Sequence, residues 1–111
     1  LHALLERVAT RHGENHPQMV SVLHIFGGFR AELELHMRKE EVILFPLIRQ
    51  LDGASSPITA HCGSVANPIH VMEDEHSHAG DALEQMRALT NNFSPPEGAC
   101  NTFRVVLGSL E

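Results

Sequence analysis

The strongest constraint in this sequence is a helical apolar pattern that runs almost unbroken from Pro17 to about Leu51. At 100° per residue, Val22, Ile25, Phe29, Leu33, His36, Glu40, Ile43, Leu47 and Leu51 fall on one face. A helix of that span is roughly 50 Å long at 1.5 Å per residue, so it has to bury its stripe in a bundle. Gly27 and Gly28 weaken it locally, each by about 1 kcal/mol relative to Ala. Pro46 cannot donate a hydrogen bond to the carbonyl of Val42, and is expected to kink or tighten the last turns.

Shorter helical patterns flank this one. Leu1, Leu4, Leu5 and Val8 recur at i, i+3, i+4 and i+7, which predicts an amphipathic helix ending near His12, just before Gly13. Asn15 offers an N-cap, with Pro17 in the first turn of the long helix. Residues 52–67 are rich in Gly, Ser, Pro and Asn and read as a connection. Asn67 as N-cap and Pro68 at the first helical position then open a third helix, whose inward stripe is Ile69, Met72, His76, Ala79, Leu83 and Met86. That pattern runs out around Thr90 to Asn92. Ser94-Pro95-Pro96-Glu97 reads as a capping box and predicts the start of a last helix carrying Phe103, Val106, Leu107 and Leu110. No strand-like alternation of useful length and no internal repeat occurs. The fold class is therefore all-α, with residues 1–111 a single domain. Leu1 and Leu110 both fall inside unfinished patterns, so the first and last helices are expected to be truncated.

Composition narrows the functional classes. Eight basic against fourteen acidic residues give a formal charge of −6, with no concentration of Lys or Arg. Nucleic acid and anionic membrane are poor partners for such a surface. No apolar run reaches the roughly 18 residues that a membrane helix needs, and no signal peptide is recognisable. Cys62 and Cys100 match no CxxC pattern; one disulfide is allowed but not required, and reduced thiols in a cytoplasmic protein are the expectation. Nine His in 111 residues is the compositional anomaly. Histidine is the commonest metal ligand, so the excess directs attention to a metal site.

Two helices carry the candidates. His36 and Glu40 are four apart, so an imidazole and a carboxylate stack on one helix face, in the middle of the apolar stripe. An ionised Glu there is costly unless a cation or dense hydrogen bonding compensates it. The bland alternative is a surface His and Glu beside a core helix. His76 lies inward on the third helix between Met72, Ala79 and Leu83, where a lone His is more often a hydrogen-bonded core residue. Glu73, three residues before it, supplies the Glu-x-x-His spacing of ferritin-like di-iron bundles. Glu32 and Glu75 are candidates for carboxylates that orient the imidazoles, or plain solvent-facing acids. His12 closes the first helix, where a C-terminus favours His without any metal. His2, His16, His24, His61, His70 and His78 have no inward placement and read as surface residues. Nitrogen and carboxylate donors without a thiolate suit iron or manganese better than structural zinc.

The run His36-Met37-Arg38-Lys39-Glu40-Glu41-Val42-Ile43-Leu44-Phe45-Pro46 resembles the HM-x-KEE-x-ILFP motif of the hemerythrin-like domain in the iron–sulfur cluster repair (repair of iron centres) family. The segments His12-Gly13, Asn67 to His76 and Thr90 to Cys100 resemble the same family, in the same order. The resemblance implies an up-and-down four-helix bundle, incomplete at both ends here. It implies iron ligation by His12, His36, Glu40 and His76, with Glu40 bridging two Fe ions that are oxo- and carboxylate-bridged in the complete domain. It also implies a cytoplasmic setting and a stress-response role in restoring iron–sulfur clusters damaged by oxidative or nitrosative stress, with iron donation as one route. The partners are then iron–sulfur proteins as repair targets, with a homodimer left open; enzymatic activity is also left open, a conventional enzyme not being the expectation. Several features of the family's pattern are missing. A further His ligand upstream, a final His-x-x-x-Glu pair beyond Glu111 and a small domain with paired cysteines lie outside the sequence. Two alternatives use the same residues: a hemerythrin that binds or senses oxygen or nitric oxide, and a ferritin-like di-iron oxidase or nitric oxide reductase with Glu73 as an added ligand.

Overall fold

The computed structural model of the protein describes residues 1–53 and 66–111. The described residues form helices α1 (His2–His12), α2 (Gln18–Lys39), α3 (Phe45–Asp52), α4 (Ala66–Leu89) and α5 (Asn101–Leu110), with a π-helical turn, Glu40–Leu44, joining α2 to α3. No strand occurs among them, as the absence of period-two patterning predicts. His61 and Cys62 lie outside the described residues, and with them the question of a disulfide.

The chain divides into two compact units. One comprises Leu1–Phe29 with Asp81–Glu111, and the other Arg30–Gly80, so the boundaries fall within α2 and α4. In the first unit four helical segments meet around one core. Leu5 and Val8 come from α1, Met19 and Val22 from α2, Met86 from α4, and Phe103, Val106 and Leu107 from α5, with Phe93 from the α4–α5 connection. Each large side chain buried this way contributes about 1.5–3 kcal/mol. Except for Met19 and Phe93, those positions sit on the stripes read from the sequence.

The second unit holds only the remainder of α2, the π turn, α3 and the first part of α4. Its buried side chains, among the described residues, are His36, Leu47, Pro68 and Met72. Two helical rods can cover one line of each other and no more, so much of the predicted stripe stays wet. Ile43 is 49% exposed and Ile69 42%. Leu83, in the first unit's part of α4, is also exposed.

Four local predictions need correction. Pro46 widens the helix instead of tightening it. The Phe45 N–H reaches back five residues to the Glu40 carbonyl, giving the pyrrolidine ring and the missing donor room in a wider turn. That turn also resets the rotational phase, which is why Ile43 leaves the buried face while Leu47 keeps it. The capping box does not start α5. Pro96, Glu97 and Gly98 instead form a turn closed by Ala99 N–H donating to the Pro96 carbonyl, with Gly98 at φ 79°, and α5 begins at Asn101 after Cys100. Proline and glycine satisfy turn geometry there better than they satisfy a helix. Finally, Asn67 lies inside α4, which begins at Ala66, and α2 begins at Gln18, beyond the N-cap expected at Asn15.

Gly13, the residue after α1, keeps ordinary right-handed dihedrals of φ −60° and ψ −28° and is set by lack of space for a side chain. A Cβ there would lie 2.3 Å from the Ala9 carbonyl oxygen and 3.1 Å from Val20. No side chain fits.

Candidate metal centre

The His36/Glu40 pair stands where α2 passes into the π turn. His36 is in the last turn of α2, and Glu40 is the first residue of the widened turn. The four-residue spacing puts both on one face, and the His36 Nε2 lies 3.1 Å from Glu40 Oε1. The second unit brings α4 against this face so that His76 Nε2 comes within 2.8 Å of His36 Nε2 and 3.9 Å of Glu40 Oε1. His36, Glu40 and His76 thus form a three-donor group capable of holding a metal ion, and no other such group of three occurs among the described residues.

The spacing of the three donors can be tested against a cation. Two ligands bound at right angles about 2.1 Å from one ion lie about 3.0 Å apart, close to the two shorter separations here. A point equidistant from all three atoms lies about 2.0 Å from each, within the range for nitrogen and oxygen donors on a transition metal. The donors fit. Their exposure is graded: the His36 side chain is 6% exposed, Glu40 26% and His76 64%. His76 was expected on a buried stripe, yet it lies open because α4 in this unit is covered on one line only.

A second carboxylate supports the group. Glu75 accepts a hydrogen bond from His36 Nδ1 at 2.6 Å through Oε2, and its Oε1 meets the Lys39 ammonium. Lys39, and after it His36, hold the Glu75 carboxyl below its usual value, against burial, which raises it. Of the two orienting carboxylates suggested by the sequence, Glu75 is one and Glu32 is simply exposed.

His12 is placed in the first unit. Its Nε2 lies 3.2 Å from Cys100 Sγ, and its ring tilts against Phe103 at 5.3 Å between centroids. Glu73, required by the ferritin-like alternative, is exposed and stands outside the converging group. His24 and His78 are exposed, and His70 pairs at the surface with Asp74 at 3.7 Å. His2 and His16 are half-buried where surface positions were expected: His2 stacks on Phe26 and His16 packs edge-on against Phe103. The sequence reading missed the Lys39–Glu75 bridge and the His12–Cys100 contact. The only local signal for the first is that each partner directly precedes a member of the metal group.

Comparison with known proteins places the chain in a family. The family model described as the hemerythrin HHE cation binding domain matches residues 1–107. The chain belongs to the hemerythrin HHE family. This hemerythrin-family chain is 48% identical over 81 residues to the iron-sulfur cluster repair protein YtfE of Edwardsiella ictaluri, covering 73% of the chain and 33% of that protein. It is 39% identical over 103 residues to the protein of the same name from Yersinia pseudotuberculosis, covering 93% of the chain and 42% of the relative. The relative from Pectobacterium atrosepticum is 48% identical over 79 residues, or 71% and 32% of the two chains. The hemerythrin-family chain thus spans about a third to two fifths of the length of these curated relatives. No described helix is long and apolar enough to cross a membrane.

Proposed function

We propose that this chain is part of a non-heme di-iron domain that acts in the repair of iron–sulfur clusters damaged by oxidative or nitrosative stress, with iron donation as its route. The observation that carries the reading is the convergence of His36 Nε2, His76 Nε2 and Glu40 Oε1 around one point. The name shared by the relatives, iron-sulfur cluster repair protein, supports the biological half of it. A neutral imidazole pair with one carboxylate, and no thiolate among the three, suits iron over a structural zinc. Iron held by these residues would supply a redox-active ion, and the exposure of His76 would leave one side of the group open for its release.

The residues divide the work. His36, buried, is the fixed donor. Glu40 supplies the negative charge that offsets a divalent cation, and is the carboxylate available to bridge to a second ion. His76, exposed, is the donor that can release first. His12 joins the set on the resemblance alone. The targets of repair are iron–sulfur proteins, and the setting is cytoplasmic.

Iron bound per chain after anaerobic reconstitution tests the metal half of the reading. Stoichiometric iron in the wild type that is abolished by His36→Ala is expected, and background iron in both ends the proposal. The repair half is tested by adding the iron-loaded protein to an enzyme whose [4Fe–4S] cluster has been damaged by nitric oxide. Recovery of activity that requires His36 is expected. No recovery, together with a reversible oxygen adduct of the reduced protein, would favour a gas-binding hemerythrin.

A further inference from the structure

We infer that the Lys39–Glu75 ion pair is a positioning device that decides which nitrogen of His36 faces the metal; the inference rests on the metal reading above. A neutral imidazole carries one N–H, and an ionised carboxylate only accepts. With Glu75 Oε2 at 2.6 Å from Nδ1, the proton sits on Nδ1 and donates to Glu75. The lone pair is then on Nε2, the atom that points at His76 and Glu40. In the other tautomer an N–H would be directed into the cation position, and His36 would be lost as a donor. The tautomer of a ligating histidine is set by the partner of its second nitrogen.

Lys39 completes the device. It engages the other oxygen of the same carboxylate, so Glu75 is held from both sides and cannot rotate its accepting oxygen away from the imidazole. The placement is economical in chain terms. Lys39 directly precedes Glu40 and Glu75 directly precedes His76, so each positioning residue lies about 100° around the helix from a donor. The pair spans α2 and α4 within the second unit. Lys39 is 41% exposed and Glu75 28%, and ion pairs of that exposure add little stability. Its value lies in direction.

The test uses metal-free protein at a pH where His36 is neutral, with long-range proton–nitrogen NMR of the imidazole and titration with Co²⁺ as the probe. In the wild type the proton is expected on Nδ1 of His36. Glu75→Gln keeps the shape but can donate or accept, so the tautomers mix and Co²⁺ affinity drops about 10- to 100-fold, the usual effect of losing such a partner. Lys39→Met is expected to shift both readouts in the same direction by less, and Lys39→Arg to restore them. Circular dichroism melting confirms that each variant is folded. A wild-type His36 carrying its proton on Nε2, or a folded Glu75→Gln protein that binds Co²⁺ as tightly as wild type, overturns the inference. A wild type that binds no Co²⁺ overturns it too, through failure of the metal reading itself, which is distinguished by the absence of binding in every variant.

Discussion

The Nε2 atoms of His36 and His76 lie 2.8 Å apart although forty residues of chain separate them. Two imidazole nitrogens at that distance share one proton or flank one cation, and the Glu40 oxygen 3.1 Å from the first adds a charged third donor that suits a cation.

Ligand deletions should therefore be ranked. His36→Ala is expected to reduce metal binding to background, because it removes the most buried donor. Glu40→Ala should do nearly the same by leaving the cation without its compensating charge. His12→Ala is expected to weaken binding less than either, since the described partner of its ring is Cys100. Calorimetric titration of each variant with Fe²⁺ under nitrogen checks the order. A His12 variant as defective as His36→Ala would show that the triad alone does not define the site.

Acid should remove the small stabilisation that Glu75 gives the second unit. Its carboxyl is held below the usual 4.5 by Lys39 and His36, so the native state binds this proton less readily than the unfolded chain. The stability it contributes is present in full above that usual value and is lost as pH falls through the depressed one. Melting temperature measured against pH should show wild type above Glu75→Gln at neutrality, with the gap closing below about pH 4.5. A constant gap down to strong acid would contradict the linkage.

Glycine substitutions should split by position. Gly28 lies within α2 with nothing within 4 Å of an added Cβ, so Gly28→Ala is expected to stabilise by about 0.5–1 kcal/mol. Gly98 sits at φ 79°, where a Cβ strains the backbone, and Gly98→Ala should cost about 1–2 kcal/mol. Urea denaturation of the two variants gives the signs directly, and equal signs would refute the assignment.

Phe103 ties the first unit together. It is 1% exposed and carries both the His12 and His16 rings on its faces and edges. Phe103→Ala should destabilise by about 3–5 kcal/mol. Phe103→Leu, which keeps most of the volume, should cost clearly less. Equal losses would mean that ring contacts, and not packing volume, dominate there.

Local periodicity alone determined that this chain is helical, where its apolar stripes run, and that His36 and Glu40 share a face. Those properties depend on residues three and four apart, which any α-helix brings together whatever surrounds it. The stripe of α5 was legible for the same reason, and Phe103, Val106 and Leu107 are buried as read. The pairing of His36 with His76, the clamp of Glu75 between His36 and Lys39, and the contact of His12 with Cys100 across 88 residues were decided by tertiary packing. Packing also left His76 open, since burial of a stripe depends on how many helices reach it. The start of α5 escaped the sequence reading because Ser94 to Gly98 satisfies both a capping pattern and a turn, and only the surrounding chain geometry chooses between them. Separation along the chain sets no distance in space, so the metal-facing chemistry belongs to the fold while the means to build it lie in the helices.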